Sequence, residues 1–307
     1  MMAITDYRLL VVLGPTASGK TRLGVGLARA LGGEVISADS RQVYRGMDIG
    51  TGKDREEYGE IPCHLIDIVD PGHEFSVFEF QRRFLDVWAE VRDRGRLPVL
   101  VGGTGLYLDA VLRGYRLVAV PANGPLRAEL AGLPPEELQE RLRRTNPRLH
   151  NTTDLLDRER LVRAIEIAEY EADHPPQPLP ELAPLVFGIR WERSELRRRI
   201  TERLAARLAG GMIEEVERLH AAGVPWATLD YFGLEYRFVA SYLRGELNRN
   251  DLFQKLNSAI HDFAKRQETW FRRMERHGVP IHWLDGAAEP LAAALALLGR
   301  TGAGAGR

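Results

Sequence analysis

The residues best equipped for chemistry lie in GPTASGKT, Gly14 to Thr21, which follows the short apolar run LLVVL and precedes a helical pattern. A glycine, four residues, then Gly-Lys-Thr in that context is the pattern of a loop that cradles phosphates. Backbone N–H groups of Gly14, Thr16, Ala17, Ser18 and Gly19, with Pro15 shaping the turn, face an anion at a helix N-terminus, where the helix adds positive potential. Lys20 neutralises non-bridging oxygens, and the Thr21 hydroxyl suits Mg²⁺. Asp39 follows the second predicted strand, on the ligand side of a doubly wound sheet. A carboxylate beside bound phosphates is electrostatically unfavourable unless it accepts a proton, although an Asp-Ser pair also caps helices and turns. The strongest apolar run, LPVLV, ends in Gly102-Gly103-Thr104, where a phosphoryl-transfer enzyme would carry a metal-binding acid. LIDIVD holds Asp67 and Asp70, but on a weaker run.

The elements that must position these residues follow from hydrophobic period and turn signals. Leu9–Leu13, Glu34–Ser37, His64–Val69, Leu97–Val101, Leu185–Arg190 and Val279–Leu284 read as strands. Arg22–Leu31 reads as a helix closed by Gly32-Gly33, and Ser76–Arg94 as one opened by a Ser76/Glu79 capping box. Ser194–Ala209, Met212–Ala222 and Asn250–Arg276 are helical patterns. From Pro125 to Asp173 the pattern is helical throughout, and HPPQPLPEL, His174 to Leu182, is a proline-rich hinge. The fold class is therefore α/β: a P-loop parallel sheet covered by helices, with an all-helical insert. Residues 1–124 and 183–300 form the core, 125–182 the insert, and 301–307 a disordered tail.

Composition narrows the function classes. A formal net charge of -1 and 44% hydrophobic residues describe an ordinary soluble protein. No apolar run is long enough to span a bilayer, and MMAITDYRLL lacks the basic start and cleavage site of a signal peptide, so a cytoplasmic location is expected. The single cysteine, Cys63, excludes an internal disulfide and a cysteine-rich metal site. Only four lysines occur, so arginine supplies nearly all the positive charge; Arg190–Arg207 and Lys265–Arg276 are locally basic, as an RNA-facing surface or a solvated helix face would be. No exposed coiled-coil pattern is visible, and a monomer is expected.

Five segments in fixed order, GPTASGKT, ISADSRQVYRGMDIGTGK, HLIDIVDP, PVLVGGTGLYLDAVLRG and AKRQETWFR, resemble the tRNA dimethylallyltransferase family from about Leu9 to Leu284. The resemblance implies transfer of a dimethylallyl group from its diphosphate to the exocyclic amine of an adenosine next to the anticodon. On that reading the loop grips a diphosphate leaving group, Mg²⁺ assists, and ATP need not be hydrolysed. Asp39 matches the general base. Thr16 and Thr104 match threonines near the reacting centre, and Arg127 an arginine just before the insert. Ser40, Arg41 and Gln42, with Asp39, fall where the family contacts tRNA. Glu159, Arg160 and Arg163 match a tRNA-contacting stretch of the insert, whose partner would be the anticodon stem-loop. The target adenine must be extruded from a stacked loop. Where family members have Gly-Tyr after the helical pair, this chain has Gly233-Leu234 with Tyr236 two residues on, and the Thr-Arg-rich segment before AKRQ is AIHDF.

Other readings stay open at this point. An adenine nucleotide is an alternative acceptor, though it would not need the insert. A small-molecule kinase would use the loop with ATP, against which stands the missing acid after LPVLV. A divergent RNA-binding paralogue would not need an intact loop and Asp39.

Overall fold

The computed structural model describes residues 7–145, 157–174 and 179–303. In chain order the elements are β1 (Leu9–Leu13), α1 (Lys20–Leu31), β2 (Gly33–Ala38), β3 (Cys63–His64), α2 (Val77–Asp93), β4 (Leu97–Gly102), α3 (Gly105–Leu112), α4 (Gly124–Ala131), α5 (Pro135–Thr145), α6 (Arg158–Asp173), β5 (Pro184–Arg190), α7 (Arg193–Ala209), α8 (Met212–Ala221), α9 (Trp226–Tyr231), α10 (Leu234–Leu243), α11 (Arg249–Arg276), β6 (Ile281–Asp285) and α12 (Pro290–Ala303). The chain divides into a unit of Met1–Arg113 with Glu181–Arg307 and a unit of Gly114–Pro180, so the helical unit begins earlier in the chain than Pro125. Residues 175–178 of the proline-rich stretch and 304–307 of the tail lie outside the described residues; α12 runs as far as Ala303.

The first unit is an α/β layer structure. Among the described residues its six strands form one sheet in the order β3-β2-β4-β1-β5-β6, and every pairing is parallel. β1 is buried along its whole length. Its alternate residues enter different cores: Leu9, Val11 and Leu13 pack with α2, α3, α10 and α11, while Leu10 and Val12 pack with α1 and α12. A strand covered on both faces must be apolar at every position, which is why LLVVL reads as a continuous run. The sheet delivers the chemistry-bearing loops together because parallel strands all end on the same edge. β1 leads into Gly14–Gly19, β2 into Asp39, and β4 into Gly103-Thr104, and β4 lies between β2 and β1.

One predicted strand is corrected. His64–Val69 contributes only its first residue to β3; beyond it the sole sheet-like contact is an isolated bridge from Val69 to Tyr44. Leu65 and Asp67 take φ of 62° and 56°, which an extended strand does not allow. Asp67 leaves the sheet because its carboxylate pairs with Lys53 and Arg55, and its N–H donates to Gln42 O at 3.1 Å. The α2 start is as expected: Ser76 Oγ accepts from Glu79 N at 3.1 Å.

The second unit has its own small core of Leu126, Leu130, Leu138, Leu142, Leu161, Ile165 and Ala168, supplied by α4, α5 and α6. Glu166 on α6 is buried beside that core. It takes a two-point ion pair from Arg127 (2.7 and 2.9 Å), a bond from Arg163 Nη1 (3.0 Å) and the N–H of Asn123 (2.9 Å). Chiefly the Arg127 guanidinium, against the opposing effect of burial, holds the Glu166 carboxyl down at about 2. A carboxylate lowered on folding stabilises above its unfolded pKa and loses that contribution as pH falls towards the folded value. We therefore expect hydrogen-exchange protection of α6 to fall between about pH 4.5 and pH 2. Glu166→Gln should remove about 2 kcal/mol at neutral pH and flatten that acid dependence; protection unchanged by the substitution would refute the clamp.

Candidate active site

The phosphate loop is braced by Trp191, Arg199 and Gln267, and the Thr16 N–H, expected to face an anion, is taken by Gln267. Ala17 (φ 61°) and Gly19 (φ 87°) turn the backbone, and Gly19 ends the loop as the N-cap of α1. A Cβ on Gly14 would lie 2.6 Å from Ser18 Oγ, so the turn requires glycine there. Arg199 Nε donates to Ala17 O and Trp191 Nε1 to Ser18 O, both at 2.9 Å, while the Arg199 guanidinium stacks on the Trp191 ring at 4.2 Å. The Gln267 amide works on both sides at once: Oε1 accepts from Thr16 N and Nε2 donates to Gly103 O, each at 2.8 Å. One side chain of α11 thereby fixes the spacing between the phosphate loop and the loop after β4.

Asp39 and Thr104 meet because β2 and β4 are neighbours in register, Ala38 opposite Gly102. Asp39 Oδ1 accepts from Arg41 N (2.9 Å) and Gln42 N (3.4 Å), so the capping geometry does occur. It orients the carboxylate rather than using it up, since Oδ2 has no hydrogen-bond partner among the described residues. Thr104 Oγ1 accepts from Ser40 N at 3.0 Å. Arg41 donates to Tyr231 O and lies over the Tyr231 ring at 5.2 Å. Gln42 is buried and bridges Ser37 Oγ (3.0 Å) and Gly52 O (3.0 Å), which ties the Asp39 loop to the Gly50–Gly52 loop. That second loop is anchored by the buried Glu215, whose carboxylate accepts from Asp48 N, Ile49 N, Gly50 N and Tyr236 OH at 2.7–3.0 Å.

These loops enclose one cavity of about 610 Å³ with a mixed polar and apolar lining. Thr16, Ala17, Gly19, Lys20, Thr21, Asp39, Ser40, Arg41, Gln42 and Thr104 all line it, so most of the core-unit residues singled out from sequence share one space. Gly14, Pro15 and Ser18 shape the loop from behind. Arg127, Glu159, Arg160 and Arg163 belong to the helical unit, where Arg127 and Arg163 are committed to Glu166, and Arg163 also to Val120 O.

Sequence reasoning missed Gln267 and the wall made by α7. Arg199, Arg203 and Arg207, four residues apart on one helix face, line the cavity together with Glu235 of α10. The four-residue arginine spacing was the available signal; a solvated face would scatter its charges. Lys20 is pushed down to about 8, first by burial and then by Arg203, with Arg207 adding to the fall and Asp39 opposing it. Arg207 is pushed down to about 10, again by burial and then by Arg203. Burial pushes Glu57 and Glu235 up. The cavity thus gathers cations that repel one another, the electrostatic condition of an anion site. For Mg²⁺, the lining offers the Thr21 hydroxyl and the carboxylates of Asp39 and Glu57, Asp54 being paired with Arg203; among the described residues no group of three acidic, histidine or cysteine side chains gathers around a metal position. The hydroxyl and carboxylates are hard oxygen donors without a closed cage, which fits an ion held partly by phosphate oxygens and water.

The fold and the cavity define a P-loop α/β protein with a carboxylate, Asp39, lining the same space as the glycine-rich loop. A family model described as IPP transferase matches residues 42–274, and one described as isopentenyl transferase matches residues 7–60. A tRNA dimethylallyltransferase 1 of Geotalea uraniireducens is 71% identical over 94% of this chain and 96% of its own. A tRNA dimethylallyltransferase 2 of Shewanella sediminis is 53% identical over 92% and 95%. Among solved structures, a tRNA isopentenylpyrophosphate transferase of Bacillus halodurans is 33% identical with a TM-score of 0.70 and 95% of both chains covered. The chain belongs to the IPP transferase family, a family of tRNA-modifying prenyltransferases. Among the described residues no helix is long and apolar enough to cross a membrane.

Gln267→Leu removes both partners of the bridge between the two loops, leaving Thr16 N and Gly103 O unpaired. Pyrophosphate affinity measured by calorimetry is expected to fall about tenfold or more. Gln267→Glu, which can accept from Thr16 but not donate to Gly103, should fall between; wild-type affinity in both variants would show that the bridge does not set the site.

Proposed function

We propose that the protein transfers a dimethylallyl group from dimethylallyl diphosphate to the N6 amine of the adenosine next to the anticodon of a tRNA, releasing diphosphate. The observation that carries this reading is that Asp39 and the Lys20 cradle line the same cavity. A proton acceptor and a leaving-group site therefore face one space, as substitution at an allylic carbon by a weak amine nucleophile requires. The allylic C–O bond breaks and its electron pair leaves with the diphosphate. The amine lone pair forms the new C–N bond, and the amine proton passes to Asp39, whose free Oδ2 suits the task. Lys20 and the loop N–H groups take up the charge that grows on the diphosphate. Thr104, bonded to Ser40 N, fixes the approach of the base relative to Asp39. Mg²⁺, held by Thr21 and a neighbouring carboxylate, would supply further charge neutralisation at the diphosphate oxygens.

RNA recognition fits the same surface. Arg41 and the exposed Tyr231 ring form a cationic and aromatic edge suited to backbone phosphates and an unstacked base. In the helical unit, the exposed Glu159 and Arg160, with the half-buried Arg163, are the positions suited to the anticodon stem-loop. The protein acts on this reading as a monomer in the cytoplasm.

The test is to incubate the protein with dimethylallyl diphosphate, Mg²⁺ and either unmodified tRNA or AMP, and to follow prenyl transfer by mass spectrometry. Transfer to tRNA alone is expected, reduced at least about a hundredfold in Asp39→Ala with pyrophosphate binding retained. Transfer to AMP alone would assign a nucleotide acceptor, and transfer to neither would overturn the reading.

A further inference from the structure

Arg207 is the lining residue whose surroundings leave it least satisfied. Arg199 is committed to Ala17 O and the Trp191 ring, and Arg203 pairs with Asp54. The Arg207 side chain is only 13% exposed, yet its one ion pair is a 3.6 Å contact with Glu235, beyond hydrogen-bond reach. Its buried Nε has no hydrogen-bond partner. The tips of Arg203 and Arg207 converge on Gly52, where φ is +63° and any Cβ would run into both guanidinium groups. Two cations brought together beside Lys20 leave donor capacity that an anion in the cavity would complete. Glu235 stands at the first turn of α10, and its neighbour Tyr236 is locked to Glu215 at 2.7 Å, so its backbone is fixed.

A structural ion pair is the simpler account of Arg207 and Glu235. It leaves the orphaned Nε, the long contact and the position of both residues in the cavity lining without a reason. A buried pair kept only for stability closes its hydrogen bonds.

We propose that Arg207 is a further ligand of the substrate's diphosphate, and that Glu235 is its positioning residue, holding the guanidinium in the cavity and releasing it when the diphosphate arrives. The inference rests on the diphosphate reading given above. Arg207 binds a phosphate through its planar fork, while Glu235 competes with the anion for the same guanidinium.

Inorganic pyrophosphate binding to the full chain, measured by calorimetry, tests this with variants that act in opposite directions. Arg207→Met is expected to weaken binding about tenfold to a hundredfold, and Arg207→Lys, which keeps charge but loses the fork, by less. Glu235→Gln removes the competitor and is expected to tighten binding by about threefold or more. Through-space charge alone also gives opposite signs, so Arg207→Lys decides: it keeps the charge and loses only the fork, and wild-type affinity in it would overturn direct ligation by Arg207. In steady state, Arg207→Met and Arg207→Lys should raise KM for the allylic diphosphate while leaving KM for tRNA within about twofold. If the methionine variant does not fold, the lysine variant and Glu235→Gln still decide the sign. Wild-type pyrophosphate affinity in Arg207→Lys, or a shift of Arg207→Lys and Glu235→Gln in the same direction, would overturn the inference while leaving the reaction intact. A wild-type protein without pyrophosphate affinity would overturn the reaction reading together with this one.

Discussion

Repulsion among like charges in a sheltered space is the constraint on which the site depends. Lys20, Arg203 and Arg207 line one cavity, where burial first and then Arg203 lower the readiness of Lys20 and of Arg207 to hold a proton. Such a cluster would relax apart or draw in water if its supports were soft. The rest of the core unit can be understood as the means of keeping it together: a rigid sheet edge, loops closed by buried hydrogen bonds, and a helix whose arginines cannot swing away. Energy stored in that arrangement is recovered when a multiply charged anion enters, which is the basis of electrostatic preorganisation.

The supports divide the work by chemistry. Backbone groups of the site loops are taken by long side chains from distant parts of the chain: Ala17 O by Arg199, Ser18 O by Trp191, Thr16 N and Gly103 O by Gln267. Buried charge is used where several partners converge: four donors on Glu215 beneath the Gly50 loop, and three acceptors, from Asp48, Asp67 and Tyr44 O, around the Lys53 ammonium. A carboxylate with four donors is stable in the interior because its charge is fully solvated by the protein. The helical unit repeats the device on a smaller scale at Glu166, which is why two arginines of that unit are partly or wholly engaged in its own fold.

The sequence alone determined the sheet, the phosphate loop and the nucleus of the site. LLVVL and LPVLV read as strands covered on both faces, GPTASGKT as a turn between a strand and a helix, and Asp39 and Thr104 follow strands that end on one edge. Local pattern carries this information because backbone geometry and burial act on neighbouring residues. It misjudged His64–Val69, where an apolar alternation is overridden by Asp67 turning to Lys53 and Arg55. The resemblance placed Gln42 among the tRNA contacts, and the structure shows its side chain buried between Ser37 and Gly52. What only the tertiary structure decided are the meetings of residues far apart in the chain: Gln267 with Thr16, 251 positions away, Glu215 with the Gly50 loop, and Arg207 with Glu235 across the cavity. Those contacts depend on how helices pack on the sheet, and packing is fixed by volumes and charges summed over the whole core, which no local spacing encodes.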